Sequence, residues 1–415
     1  MTITVSPSCI NGELTANPSK SIMQRVIAIS TITNGEVVIF NPDRSEDSMS
    51  ALTIAEDMGC RIEYDNQCIK IQKTANLKKH IWNVGESGLS ARIFSFLAGL
   101  FDEEIMITGH GTILNRSMRT LIDALSAAGL SVEHQNFRLP IIIKGKINKF
   151  RHILDAQDGS QVLTGMLIAF TQAEKDSEIE VINLKSRPYI DISLSTLQLF
   201  GADIMNINHN LFNVGGNQRL GGIEVKIEGD WSGSAFYMVG AAISGKVVFD
   251  GLNLESYQGD RAILDVLKSA GAKIIEKNEK VIVGKNRLNP FYFDATDTPD
   301  LFPPLAVLAV NCSGISRIKG ISRLINKESN RFNSLKEEFK KLGLQIEAEN
   351  DNMIIKPGKP TGGKVNSHND HRIAMSLSII GLNAEKNVII ENAECVKKSY
   401  PDFFTDYQKL GGKVI

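Results

Sequence analysis

Two textures alternate along this chain. Six stretches, at residues 22–32, 89–100, 162–171, 234–243, 301–310 and 373–382, are apolar around most of a helical circumference. Such a helix belongs inside a domain rather than on its surface. Between them run amphipathic stretches that each stop at a glycine: Gly59, Gly129, Gly201, Gly271, Gly343 and Gly411, at intervals of roughly seventy residues. A glycine just past an amphipathic helix is the expected left-handed C′ residue, because it alone takes positive φ without strain. An alternating run, a polar turn and a second run follow, as in Ala272 to Ile275, Glu276 to Glu279 and Lys280 to Val283. That pattern predicts a β-hairpin. Each unit therefore reads as a buried helix, a strand, a surface helix and a hairpin. Six units predict an α/β protein with three units in each of two domains. Turn signals at Asn17-Pro18-Ser19 and Glu228-Gly229-Asp230 mark two crossings. They predict a discontinuous domain of residues 1–18 plus 229–415 and a continuous one of 19–228, with the N-terminal strand joining the C-terminal half.

Composition narrows the classes. The chain has 415 residues, 42% of them hydrophobic, which suits two ordinary domains and excludes a mainly disordered chain. With 46 Lys+Arg against 47 Asp+Glu, it does not read as a nucleic-acid binder, so any anion site must be a local cluster. No apolar run is long enough to span a bilayer, and Met1 to Ile10 carries no secretory signal. Cys9, Cys60, Cys68, Cys312 and Cys395 form no CxxC pair, which predicts free thiols and a cytoplasmic location. Only His368 and His371 lie close together, and neither a Walker loop nor a GxGxxG follows a strand. No metal and no cofactor are expected.

The chemistry collects where the apolar helices begin. Lys20-Ser21 with Arg25, Gly88 to Arg92, Gly159-Ser160-Gln161 and Asp370-His371-Arg372 open four of them. Lysine and arginine are unfavourable against the positive end of a helix. Repeated cations there point to an anion that both charge and backbone can bind. Simpler readings stand beside this one: a solvated Lys20, an Arg92–Glu86 pair, an Asp370–His371 pair. Two carboxylates complete the set. Asp300 ends an acidic run leading into Leu301-Phe302-Pro303-Pro304, where it is either a helix cap or a functional group. Glu328 lies among Arg323, Lys327 and Arg331, as a salt-bridged helix start or an acid–base group.

Taken in order, the motifs resemble the 3-phosphoshikimate 1-carboxyvinyltransferase (EPSP synthase) family of enolpyruvyl transferases over essentially the whole chain. They are Pro18 to Ser21 with Arg25, Gly85 to Arg92, Thr108-Gly109 with Arg116, Ser160-Gln161 and Ser186 to Asp191. Gly229 to Ser232, Pro299-Asp300, Lys327 to Arg331, Asp370 to Arg372 and Lys398 to Pro401 follow. The resemblance implies an inside-out α/β barrel of six βαβαββ-like units with a two-crossing hinge. It implies transfer of the enolpyruvyl group of phosphoenolpyruvate to the 5-hydroxyl of shikimate 3-phosphate by addition and elimination, in aromatic amino-acid biosynthesis. By motif position, shikimate 3-phosphate falls to Lys20, Ser21, Arg25, Ser160, Gln161, Ser186, Tyr189, Asp300 and Lys327. Phosphoenolpyruvate falls to Lys20, Gly88, Arg116, Gln161, Arg331, Arg372 and Lys398. Asp300, Glu328 and Lys20 are the implied catalytic groups, and a monomer is expected.

The chain departs from the family pattern at Glu86-Ser87-Gly88-Leu89, at Gly159, at Arg323 and at Asn330. Glu86 would repel phosphoenolpyruvate unless it turns away or pairs with Arg92. The competing expectations are a related enolpyruvyl transferase acting on UDP-N-acetylglucosamine and a non-catalytic anion binder. Thr108 to Arg119 holds no cysteine, which disfavours the first.

Overall fold

The six apolar stretches form helices at Lys20–Ser30, Gly88–Ala98, Gln161–Phe170, Trp231–Ser244, Phe302–Val310 and His371–Gly381. They are seen in a computed structural model that describes residues 1–65, 67–74 and 76–415. The chain divides into a continuous unit, Pro18–Ile227, and a discontinuous one, Met1–Asn17 with Glu228–Ile415. Each unit holds three of these helices in a single apolar core. Three of their starts carry short polar caps. Ser87 accepts from the Ser90 N–H at 3.1 Å, Asp230 from Gly233 at 2.9 Å and Asp370 from Arg372 at 3.0 Å.

Close helix packing explains two glycines that no turn requires. A methyl group on Gly165 would lie 2.6 Å from the carbonyl oxygen of Arg92 and 3.0 Å from the Phe96 ring. Glycine there lets the Gly88–Ala98 and Gln161–Phe170 helices meet backbone to backbone. In the discontinuous unit the core helices all touch one another, and Gly381 admits the Val5 side chain against its helix.

Each unit carries three four-stranded sheets around this core. Ile81–Asn83 pairs parallel with Ile105–Thr108, which pairs antiparallel with Arg138–Lys144, itself in a hairpin with Ser131–Gln135. The same order recurs in the other five sheets. All six helix-stop glycines have positive φ, between 78° at Gly343 and 95° at Gly411. The repeat read from the sequence is thus the repeat of the fold, a β-α-β-α-β-β unit used six times.

Two details complete the repeat. The strand preceding the Lys20 helix, Asn11–Thr15, pairs parallel with Lys246–Asp250 in the discontinuous unit. The strand preceding the Trp231 helix, Glu224–Lys226, pairs parallel with Glu36–Phe40 in the continuous unit. In the sixth sheet the hairpin is split: Lys413–Val414 ends the chain, and Ile3–Ser6 takes the place of the missing strand, flanked by Val388–Glu391.

Candidate active site

In the discontinuous unit the starts of all three buried helices meet in one polar cluster. Arg372, the second residue of its helix, donates from Nη2 to Asp300 Oδ2 at 3.0 Å and to Ser232 Oγ at 3.2 Å. Its Nη1 reaches the Asp300 carbonyl at 3.4 Å. Asp300 precedes the Phe302 helix and Ser232 lies in the first turn of the Trp231 helix. The cation that is unfavourable at a helix start is thus offset by a carboxylate from a neighbouring helix start.

Arg331 is the second organiser. It is 1% exposed, and its guanidinium reaches Asp370 Oδ2 at 2.9 Å, Asp300 Oδ1 at 2.7 Å and the Glu328 carboxylate. Burial opposes its charge, but Asp370, Glu328 and Asp300 outweigh it and raise its pKa above the ordinary guanidinium value. Asp300 shows the reciprocal effect: burial alone would raise its pKa, yet Arg372, Lys327 and Arg331 hold it well below the usual carboxylate range. Lys327 Nζ lies 3.7 Å from Asp300 Oδ1. Burial pushes its ammonium down to about 8, which the nearby Asp300 only partly opposes. Lys398 is buried and donates to the Asn369 carbonyl at 2.7 Å. Asp300, Lys327, Glu328, Arg331 and Arg372 are therefore in direct contact, with Lys398 held to the turn that carries Asp370.

In the continuous unit, Gly88 sits in a cradle of polar atoms. A methyl group built on it would lie 3.0 Å from Arg92 Nη1, 3.1 Å from Arg116 Nη1 and 3.4 Å from Gln161 Oε1. Arg92 Nη1 donates to the Gly88 carbonyl at 2.9 Å, and Arg116 Nη2 reaches Thr112 Oγ1 at 3.3 Å. Lys20 Nζ pairs with Asp47 at 2.8 Å, so it is held in place rather than loosely solvated. Ser160 stands at the N-cap position of the Gln161 helix, and Ser186 at that of the Arg187–Leu199 helix in a left-handed conformation, neither through a side-chain cap hydrogen bond.

Arg25 is used internally. It is 1% exposed, and it donates to Ser193 Oγ at 2.9 Å, the Ser21 carbonyl at 2.7 Å and the Tyr189 carbonyl at 3.0 Å. Burial lowers its pKa to about 10. It therefore ties Ser21 to Tyr189, two positions that the family resemblance assigns, with Arg25 itself, to shikimate 3-phosphate.

The departures have local accounts. Glu86 Oε2 accepts from the Thr112 N–H at 2.6 Å and from Thr112 Oγ1 at 2.5 Å. A side chain at Gly111 would collide with that carboxylate, so Gly111 makes room for it. Gly159 has φ +131°, a conformation strained for serine. Asn330 caps its helix, accepting from the Asn333 N–H at 3.2 Å. Arg323 Nε donates to the Thr296 carbonyl at 3.3 Å.

One participant had no sequence signal. Asp260 is buried and accepts the Ser232 hydroxyl, although 28 residues separate them. Nothing in Gln258-Gly259-Asp260 announces that contact. Glu337, Glu338 and His368 also gather, but Lys341 Nζ lies 3.0 Å from Glu337 and 2.8 Å from Glu338, and supplies the countercharge.

The chain is similar to known proteins over nearly all its length. Residues 5–407 match the family model described as EPSP synthase (3-phosphoshikimate 1-carboxyvinyltransferase). The chain is 33% identical to a 3-phosphoshikimate 1-carboxyvinyltransferase of Clostridium kluyveri, over 99% of this chain and 98% of that one. It superposes on the structure of EPSP synthase from Acinetobacter baumannii with a TM-score of 0.82 at 25% identity, covering 100% and 99% of the two chains. The enolpyruvyl transferase NikO from Streptomyces tendae shares the fold, with a TM-score of 0.81 at 15% identity over 100% and 98% of the chains. Built from six βαβαββ units and matched over nearly all its length, the chain belongs to the EPSP synthase family.

Proposed function

We propose a division of labour among the residues above for the family reaction, transfer of the enolpyruvyl group of phosphoenolpyruvate to the 5-hydroxyl of shikimate 3-phosphate with release of phosphate. The observation that carries it is the placement of Asp300 and Glu328 on one buried guanidinium, that of Arg331. Addition needs a group that takes the hydroxyl proton and a group that protonates the methylene carbon; elimination then removes a proton from the new methyl group as the C–O bond to phosphate breaks. Asp300 takes the first role. Arg372, Lys327 and Arg331 keep it ionised and ready to accept. An arriving phosphoenolpyruvate draws those same cations toward its own carboxylate and phosphate, and so raises the proton affinity of Asp300 when it is needed. Glu328, protonated once phosphoenolpyruvate has drawn Arg331 away from it, gives that proton to the methylene, and Lys20 assists proton movement.

Arg331, Arg372 and Lys398, with Lys20, Gly88, Arg116 and Gln161 of the continuous unit, bind phosphoenolpyruvate and stabilise the charge that builds up. Ser21, Ser160, Gln161, Ser186, Tyr189 and Lys327 hold shikimate 3-phosphate alongside Lys20 and Asp300. Arg25 acts by fixing Ser21 and Tyr189. All five cysteines are free thiols, which supports a cytoplasmic location. Among the described residues no helix is long and apolar enough to cross a membrane. A monomer remains our expectation, to be checked by light scattering.

The test is phosphate release from phosphoenolpyruvate with each of two acceptors. Release with shikimate 3-phosphate and none with UDP-N-acetylglucosamine is expected; the reverse preference would overturn the reading, and release with neither would indicate a binder. A second expectation comes from the cradle at Gly88. Gly88→Ala places a methyl group against Arg92 and Arg116. It should raise KM for phosphoenolpyruvate by about an order of magnitude, the scale of an over-packing cost of ~1–3 kcal/mol. KM for shikimate 3-phosphate should change far less, as separate titrations of the two substrates would show.

A further inference from the structure

We propose that Asp260, acting through the Ser232 hydroxyl, is a positioning residue for the transfer reaction: it fixes Arg372 and sets the charge that Asp300 experiences. This rests on the reading that Arg372 and Asp300 engage the reactants. Asp260 lies in the short Gly259–Ala262 turn and is 2% exposed. Its carboxylate accepts from Ser232 Oγ, and the same oxygen accepts from Arg372 Nη2 at 3.2 Å. The same Nη2 that reaches Asp300 at 3.0 Å is therefore also held by a hydroxyl whose own proton is committed to Asp260.

The relay has a direction because each partner has a fixed repertoire. Arginine only donates, an ionised carboxylate only accepts, and a serine hydroxyl does both. With Asp260 ionised, the order carboxylate, hydroxyl, guanidinium, carboxylate is satisfied at every link, and each hydrogen bond polarises the next. With Asp260 protonated, its O–H competes to donate to Ser232. The hydroxyl proton is then displaced toward Arg372, which has nothing to accept it. That repulsion, with loss of the charged acceptor that polarised the hydroxyl, weakens the hold on Arg372, and one negative charge near Asp300 is lost.

The groups that face Asp260 make this change accessible near neutrality. Asp230 and Ser232 face it from the start of the Trp231 helix, Asp300 from the segment leading into the Phe302 helix, and Arg372 from the His371 helix. Within its own turn, Arg261 is directed away, onto the Leu254 carbonyl. Burial first, and the Asp300 carboxylate second, push Asp260 up to about 7, with Arg372 and the Ser232 hydroxyl opposing. No sequence motif assigns Asp260 a role. The carboxylates with proposed proton-transfer roles, Asp300 and Glu328, both contact Arg331, whereas Asp260 contacts the hydroxyl behind Arg372.

The test is kcat/KM for phosphoenolpyruvate from about pH 5.5 to 9 for the native enzyme, Asp260→Asn and Ser232→Ala. Substrate phosphates titrate near pH 6 themselves, so the informative quantity is the ratio of variant to native, from which that common titration cancels. The amide introduced by Asp260→Asn resembles the protonated carboxyl and cannot ionise, so the ratio for this variant should lie near one below about pH 6. It should fall about 10- to 100-fold above about pH 8, the worth of a hydrogen bond to a charged group. Ser232→Ala, which leaves Asp260 in place and removes little volume, should show the same loss at high pH. KM for shikimate 3-phosphate should stay within a few-fold of native. A ratio for Asp260→Asn that does not change with pH overturns the proposal, as does a Ser232→Ala enzyme with native kcat/KM at high pH. Should Asp260→Asn fail to fold, Ser232→Ala decides alone. Asp300→Asn and Arg372→Gln are run in parallel. If neither lowers kcat, the underlying site reading falls with the proposal; if both do and Asp260→Asn is flat, the relay alone is wrong.

Discussion

Glu328→Gln is expected to lower kcat by roughly 10²- to 10⁴-fold, the range that a positioned proton donor contributes, with KM for either substrate within a few-fold of native. Glu328 approaches Arg331 from one turn before it, and its carboxylate bonds Nη2 of that guanidinium. Glutamine keeps the length and planarity of the side chain, and its amide oxygen can still accept from Arg331. The geometry of Asp300, which shares Arg331 through Oδ1 at 2.7 Å, should therefore survive. What glutamine cannot do is deliver a proton to the methylene carbon of phosphoenolpyruvate. The loss should thus appear in turnover rather than in binding. Phosphate release at saturating concentrations of both substrates, with equilibrium binding of shikimate 3-phosphate as the control, measures both. Unchanged turnover would remove Glu328 from the mechanism, and loss of binding in step with turnover would make it a structural residue.

Arg331→Met should have the largest effect on stability. The native guanidinium is almost fully buried and faces three carboxylates, those of Asp370, Asp300 and Glu328. Methionine fits the volume but leaves these acids facing one another without their shared cation. Removing one partner of a buried ion pair costs about 3–5 kcal/mol. For a folding unit of this size that lowers the melting temperature by on the order of 10 °C at neutral pH. The pH dependence fixes the sign. Asp300 has a pKa held below its unfolded value, so in the native protein its contribution is fully present above about pH 4 and is lost as pH falls through the folded value. In Arg331→Met that depression largely disappears, so the gap between native and variant melting temperatures should narrow as acid is added. Thermal unfolding followed by circular dichroism at neutral pH and in acid tests this; a constant gap would mean that packing, not charge, is what Arg331 supplies.

These two residues also show what the sequence makes legible. The six-fold repeat is written in local chemistry: glycine is the cheapest residue at a left-handed helix stop, and all six stops have positive φ. The helix starts are local too, which is why Lys20, Gly88, Gln161 and Arg372 stand out by eye. Contacts are another matter. The acceptors that hold Arg25 lie 164 and 168 residues away at Tyr189 and Ser193, and no periodicity marks them. Asp260 is invisible in the sequence for the same reason, and Glu86 becomes intelligible only with Thr112 and Gly111 around its carboxylate. The split sixth hairpin lies between these cases. The glycine at 411 is evident, and the two crossings already place the N-terminal strand with the C-terminal half, but nothing near Gly411 shows that Ile3–Ser6 is the strand that completes its hairpin.

That split hairpin bears on how the protein is made. Ile3–Ser6 leaves the ribosome long before its strand neighbours, Val388–Glu391 and Lys413–Val414, are synthesised. The continuous unit has every strand it needs once Ile227 has appeared, including Glu224–Lys226 at the edge of its first sheet. At about 5–20 residues per second, the opening segment then waits roughly 10–40 s with its sheet edges unmet. Ribosome-bound chains halted once Ile227 has cleared the ribosome should already protect the continuous unit from protease, while Ile3–Ser6 stays cleavable until Lys413–Val414 has emerged.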